Sequence, residues 1–100
     1  MMVLFPSQPF EPRVVDGAFA HEQRCATAAG LTTALIDSDA IDEGRYDAAV
    51  RGIPSTGDAD AAVYRGWMMG VDAYAKLYEA LARRGVVLIN SPGKYRSAHH

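Results

Sequence analysis

Short runs of apolar and β-branched residues alternate along this chain with longer stretches in which apolar residues recur every three or four positions. Four such runs predict buried strands, at residues 3–5, 31–36, 61–65 and 86–89. Two periodic stretches predict helices, at residues 17–29 and 72–84. Because strands that alternate with helices pair in parallel through right-handed crossovers, the pattern predicts an α/β fold with a small open, mostly parallel sheet and flanking helices.

Capping residues mark the ends of both predicted helices. Asp16 and Asp72 stand at the starts, where a carboxylate can accept hydrogen bonds from free backbone N–H groups. Gly30 and Gly85 stand at the ends, where a left-handed residue commonly closes a helix. A further helix is predicted to start at residues 90–92 and is cut off at the end of the chain, so we expect a single domain that is the first part of a longer protein.

The connecting segments are rich in proline, glycine and acidic residues. Pro6 is predicted to end the first strand because it lacks a backbone N–H. The remaining connections are predicted as loops or turns, at residues 7–15, 37–44, 54–60 and 66–70. Periodicity leaves residues 46–53 open between a short helix and a strand.

Composition narrows the function classes. The 100 residues are 49% apolar and 22% charged, with a net charge of −2, which suits one globular domain and excludes a strongly basic nucleic-acid binder. Every apolar window is too short to span a bilayer, and the first residues lack the pattern of a signal peptide. The single cysteine, Cys25, cannot form an internal disulfide and fits a cytoplasmic protein.

Common cofactor motifs are absent from the sequence. The turn after the first strand holds no glycine-rich dinucleotide fingerprint, and no phosphate-binding P-loop is present. His21 and Cys25 are four positions apart on a predicted helix, but two ligands without a third make a poor metal site. We therefore interpret Cys25 as a small core residue and expect no metal.

The most suggestive group of residues follows the third predicted strand. Arg65 ends that strand, and its planar guanidinium suits a carboxylate or phosphate in the crevice where open α/β sheets bind ligands. Gly66 permits close approach of the backbone, and Trp67 offers a flat wall. Alternatively, Arg65 pairs with an acid of the acidic turn and Trp67 covers the core.

Two other predicted strand ends add polar groups to the same crevice. Ser7 follows the first strand, while Asn90 and Ser91 follow the fourth, at a helix N-terminus that favours anions. The predicted substrate-binding residues are therefore Ser7, Arg65, Gly66, Trp67, Asn90 and Ser91, with no catalytic residue among them.

Several segments in order resemble one family. Residues 4–7 (LFPS), 64–68 (YRGWM), 74–85 (YAKLYEALARRG) and 88–92 (LINSP), followed by Tyr95 and His99, resemble the N-terminal region of bacterial and phage ATP-grasp-domain proteins. The resemblance covers nearly the whole chain. It implies a Rossmann-like pre-ATP-grasp domain that packs against the ATP-binding part of an enzyme.

The same resemblance implies a function. Such ligases join a carboxylate to an amine through an acyl-phosphate, with ATP and magnesium held further along the chain. It therefore implies that this chain holds no cofactor, is not catalytic alone, and has a C-terminal ATP-binding domain and a small carboxylate or amine substrate as partners. A homodimer is also expected, because the missing part would leave a strand edge and apolar surface uncovered. The alternative is a free-standing small α/β binding or interaction module, such as a phage-encoded one.

Overall fold

The computed structural model describes residues 1–54 and 60–89 of the chain. Within these ranges, five strands and four α-helices follow one another in the order β1 (Met2–Gln8), β2 (Glu11–Val15), α1 (Ala20–Ala28), β3 (Thr32–Ile36), α2 (Ser38–Asp42), α3 (Tyr46–Ala49), β4 (Asp60–Tyr64), α4 (Val71–Ala82) and β5 (Val86–Leu88). The predicted α/β class is confirmed. The segment 46–53, which the sequence left open, begins with the short helix α3.

A parallel sheet with the order β3–β1–β4–β5 forms the centre of the molecule. In the central strand β1, Leu4 lies between Ala34 of β3 and Tyr64 of β4. The fifth strand, β2, runs antiparallel to the end of β1, so the small open sheet is mixed. All four strands predicted from apolar runs are present and pair in parallel.

Strand β1 continues through Pro6, so the prediction that this proline ends the strand is wrong. The Leu4 carbonyl accepts a hydrogen bond from Arg65 N at 2.8 Å, and the Pro6 carbonyl accepts one from Asp16 N at 2.9 Å. Residues two apart in a strand present their backbone groups to the same side. The nitrogen of Pro6 therefore faces the gap where β4 has ended and β2 takes over, and no ladder hydrogen bond is needed there.

Residues 7–15 form a β-hairpin rather than the predicted loop. The turn at Pro9 and Phe10 places Gln8 opposite Glu11. Phe10 has a φ of 62°, an unusual conformation for a bulky residue, and its N–H donates to Asp39 Oδ2 at 2.7 Å. The hairpin was missed because its prolines lie at an edge and in a turn, where the missing donor costs little.

The helix boundaries follow the predicted caps in part. Asp16 accepts a hydrogen bond from Ala18 N at 2.9 Å and starts a single 3₁₀ turn that leads into α1. Helix α4 instead begins after Gly70, so Asp72 lies in its first turn and is not its N-cap. The predicted glycines at the helix ends both have positive φ, 85° for Gly30 and 79° for Gly85.

The acidic segment 37–44 contains a helix that the turn prediction missed. Asp37 caps α2 by accepting hydrogen bonds from the N–H groups of Asp39 at 3.1 Å and Ala40 at 3.3 Å. Helix α2 lies beside the end of β1 and contacts α3. The acids of this segment therefore build a short helix at the edge of the sheet.

The core lies between one face of the sheet and helices α2, α3 and α4. Tyr74, Leu77 and Leu81 of α4 are buried against it, as the predicted stripe requires, and Tyr78 is half-buried. Helix α1 buries no residue. Cys25 is exposed, so the prediction of a core cysteine is wrong; the alanines of α1 offer too little apolar area to pull that helix into the core.

Two predictions concern residues outside the described ranges. The helix start at residues 90–92 lies there, as does most of the predicted loop at 54–60. Among residues 1–54 and 60–89, no helix has the length and apolar character needed to cross a membrane.

Candidate functional site

A cavity of about 250 Å³ lies at the carboxyl ends of three parallel strands. Pro6 and Ser7 come from β1, Ile36 from β3 and Tyr64 from β4. The other lining residues belong to the β-hairpin turn, the cap of the 3₁₀ turn before α1, helix α2 and the loop after β4: Pro9, Asp16, Ser38, Ile41, Asp42, Trp67, Met68 and Met69.

The strand order explains why the cavity forms at this place. The chain passes from β1 to β3 on one side and then returns to β4 on the other side of β1. Where the direction of strand order reverses, the crossing segments diverge and leave a crevice beyond the carboxyl ends of the strands. The cavity lies at this reversal, beside the carboxyl end of β1.

Ser7 is fully buried and fastens β1 to helix α2. Its Oγ accepts a hydrogen bond from Ser38 N at 2.9 Å, and its carbonyl accepts one from Ser38 Oγ at 3.0 Å. This double contact fixes the start of α2, which carries Ile41 and Asp42 to the cavity. Ser7 thus lines the predicted crevice, with its hydroxyl already engaged by the protein.

Trp67 forms one wall of the cavity and is held in two ways. Its indole Nε1 donates to Asp16 Oδ2 at 2.9 Å, and its ring meets Phe19 edge to face with centroids 5.0 Å apart. The side chain remains 57% exposed. The indole hydrogen bond, with a smaller contribution from Ala18 N–H, holds the pKa of Asp16 below its ordinary value, so the carboxylate stays charged.

The close approach that Gly66 permits is to other residues of this chain and not to a ligand. A Cβ atom at this position would overlap the ring of Tyr64 and lie 2.8 Å from Pro6 Cδ. The Tyr64 hydroxyl donates to the Trp67 carbonyl at 3.0 Å. A residue without a side chain therefore lets the loop after β4 fold tightly over the end of β1.

Arg65 is not among the residues that line the cavity. Its guanidinium pairs with the Glu22 carboxylate of α1 through two hydrogen bonds, Nη2 to Oε1 at 3.0 Å and Nε to Oε2 at 3.2 Å. This pairing raises the pKa of Arg65 above its ordinary value. An acid does pair with Arg65, as the alternative expected, but it lies on α1 and not in the acidic turn.

The predicted set is therefore only partly assembled at the cavity. Ser7 and Trp67 line it, Gly66 shapes the loop beside it, and Asn90 and Ser91 lie outside the described residues. Sequence reasoning missed Ser38 and Asp42 and recognised Asp16 only as a helix cap. The spacing of residues 38, 41 and 42 would have placed them on one face of a helix, but the segment was interpreted as a turn.

The lining is negatively charged and apolar. Asp16 and Asp42 are its ionisable acids, Ser38 adds a hydroxyl, and no lysine, arginine or histidine lines the cavity within the described residues. The same part of the chain holds no group of three or more residues suited to a metal ion. On α1, His21 Nε2 and Cys25 Sγ lie 3.6 Å apart, but they supply only two potential metal ligands.

The arrangement is suited to binding a small molecule. The cavity offers charge, a hydroxyl and an aromatic wall, and its lining within the part of the chain that the structure describes holds no paired nucleophile and base. No family model, no curated protein and no solved structure matches the chain.

Proposed function

We propose that this chain is the substrate-side domain of an ATP-grasp carboxylate–amine ligase and is not catalytic alone. The observation that carries the proposal is the cavity at the carboxyl ends of β1, β3 and β4, where open α/β sheets hold their ligands. ATP and magnesium would be held by a partner domain.

The size and construction of the cavity support a small substrate. A volume of about 250 Å³ lies just below the roughly 300–1,000 Å³ that is typical of pockets for small ligands. The loop after β4 is fixed by the Trp67–Asp16 and Arg65–Glu22 contacts, which join it to the segment around α1. A rigid wall of this kind preorganises a binding site and lowers the entropy cost of binding.

A second candidate is a free-standing binding or interaction module. It is favoured by the exposure of apolar side chains at the cavity, 57% for Trp67 and 79% for Met68. Exposed apolar groups of this size are common where a protein or ligand docks. The two candidates differ in one property, since only the ligase needs a partner that binds ATP.

The test begins with the gene. The coding sequence is read beyond the codon for His100, and any longer product is purified and assayed for ADP release with a panel of carboxylates and amines. The ligase proposal expects ADP release that needs both substrates. It also expects Trp67→Ala to slow the reaction severalfold, while Val87→Ala, on β5 and away from the cavity lining, serves as the control.

Three results would count against the ligase. A reading frame that stops after His100, with no neighbouring gene for an ATP-binding partner, would favour the module. ATP hydrolysis that ignores carboxylate and amine would exclude ligation. Tight, magnesium-dependent binding of ATP by the 100-residue chain alone would contradict the proposal that a partner domain holds ATP and magnesium.

A further inference from the structure

No basic side chain within residues 1–54 and 60–89 neutralises the acids that line the cavity. Asp42 is exposed at the end of α2, and its carboxylate has no hydrogen bond or ion pair within residues 1–54 and 60–89. Asp16 accepts hydrogen bonds from Trp67 and Ala18, which stabilise its charged form without neutralising it. The cavity therefore presents two carboxylates to whatever enters it.

Nearby cations are committed elsewhere. Arg65 pairs with Glu22, and Arg45, three residues after Asp42, pairs with Glu43. Neither arginine lines the cavity. Within the described residues, an anionic ligand would thus meet like charge without a basic side chain to compensate it, whereas a cation would neutralise two acids.

The remaining lining favours the same kind of ligand. Trp67 offers an indole ring, and aromatic rings attract cations through their π-electron faces. Its orientation is held because the indole N–H is bonded to Asp16 and the ring packs edge to face with Phe19. The apolar part of the lining consists of Ile36, Ile41 and Met69, and it suits the uncharged portion of a ligand.

We propose that the cavity binds a small primary amine in its ammonium form, with the charged head at Asp42 and Asp16 and a short apolar body against the isoleucines. This inference rests on the proposed function and assigns to this domain the amine partner of the ligation. An ammonium group has three donors, and the acceptors among the described lining residues include the two carboxylates and the Ser38 hydroxyl. Hydrogen bonds between charged groups are about twice as strong as neutral ones, so the head group sets the preference.

The experiment compares three probes of one shape: 3-methylbutylamine, 3-methylbutanol and 3-methylbutanoate. Each is titrated into the ¹⁵N-labelled chain at low salt, with the indole N–H of Trp67, the only tryptophan, as the site reporter. We expect a millimolar dissociation constant for the amine, about fivefold or more below that of the alcohol, and no saturation with the carboxylate.

Two variants identify the carboxylate responsible. Asp42→Asn is expected to weaken amine binding about fivefold and to leave alcohol binding unchanged. Glu79→Gln removes the same charge from an exposed residue of α4 that does not line the cavity and has no ion pair within the described residues, and it is expected to change neither. Both sites are exposed, so the amide spectrum is expected to show an unaltered fold.

The outcomes separate the two proposals. Equal affinity for amine and alcohol, tighter binding of the carboxylate, or an Asp42→Asn variant that binds the amine normally would each overturn the amine assignment. In those three cases the cavity still binds a small molecule and the proposed function stands. If none of the probes shifts the Trp67 signal or any other cavity residue, the amine assignment falls together with the substrate-side role of the cavity.

Discussion

Gly66 shows how one residue controls the shape of the site. Gly66→Ala is expected to destabilise the protein by about 1–3 kcal/mol, because the new methyl group would overlap the Tyr64 ring and Pro6 Cδ. The same overlap should displace the Tyr64 hydroxyl from the Trp67 carbonyl. Chemical denaturation measures the first effect and the indole N–H shift of Trp67 the second.

Gly52 supplies the matched control for this substitution. A Cβ atom there would meet no atom within 4 Å, and the residue has no positive φ. Gly52→Ala is therefore expected to be neutral or slightly stabilising, since alanine restricts the unfolded chain more than glycine does. Equal stability of the two variants would contradict the tight packing described for the loop after β4.

Asp16 gives the site a dependence on acid pH. Its folded-state pKa is lowered below the ordinary 3.8, mainly by the indole N–H of Trp67. A depressed pKa means that the carboxylate stabilises the fold above the unfolded value and that this contribution is lost as pH falls through the folded value. The fluorescence of Trp67 should accordingly titrate with a midpoint below pH 3.8.

The control is Asp16→Asn, which cannot ionise and should lose this fluorescence transition. A midpoint at or above the ordinary value would mean that the Trp67–Asp16 hydrogen bond is weaker in solution than the geometry indicates. A transition that survives in Asp16→Asn would assign the titration to a different group.

Single residues show which predictions local sequence supports. The cap at Asp16 was predicted because its hydrogen-bond partner, Ala18, is two positions away. The ion pair of Arg65 was not predicted, because its partner Glu22 is 43 residues away and only the folded chain brings the two side chains together. The exposed acid Asp42 had no local signal for a cavity role, since this depends on where α2 lies relative to β1.

At the scale of elements, α4 carries much of the core. Leu81 is fully buried, so Leu81→Ala is expected to cost about 2–5 kcal/mol in unfolding free energy. Leu31, which is 40% exposed, provides the control, and Leu31→Ala should cost roughly 0.5 kcal/mol or less. Urea denaturation of both variants is the measurement, and a loss below about 1 kcal/mol for Leu81→Ala would contradict the packing of α4 on the sheet.

Elements were predicted best where their pattern is repeated over several residues. The stripe on α4 and the apolar runs of β3 and β5 meet this condition. The β2 strand does not, because its residues are mostly exposed and one is a proline. Helix α2 is too short for periodicity to reveal, so its acidic composition suggested a turn instead.

At the scale of the whole molecule, the order of the strands in the sheet cannot be predicted from the pattern of apolar and polar residues. Right-handed crossovers fix the hand of each connection, but β4 could have paired outside β3 as well as beside β1. Its place beside β1 creates the reversal where the cavity forms. The radius of gyration, 12.6 Å, agrees with about 13 Å expected for a folded domain of this length, so this topology gives a compact chain.

Self-association is the expected behaviour of the whole molecule at high concentration. Phe10, Trp67 and Met68 are 90%, 57% and 79% exposed, and β5 is the edge strand of the parallel sheet within residues 1–54 and 60–89. Burying such groups between two copies would remove apolar area from water, and a two-fold dimer is the simplest closed arrangement. Light scattering should therefore show a mass that rises toward twice the monomer value, and Met68→Lys should lower it.

Leu31→Lys adds the same charge at an exposed residue outside the cavity lining, so an equal effect of both variants would show that added charge, and not the apolar group at the cavity, governs association.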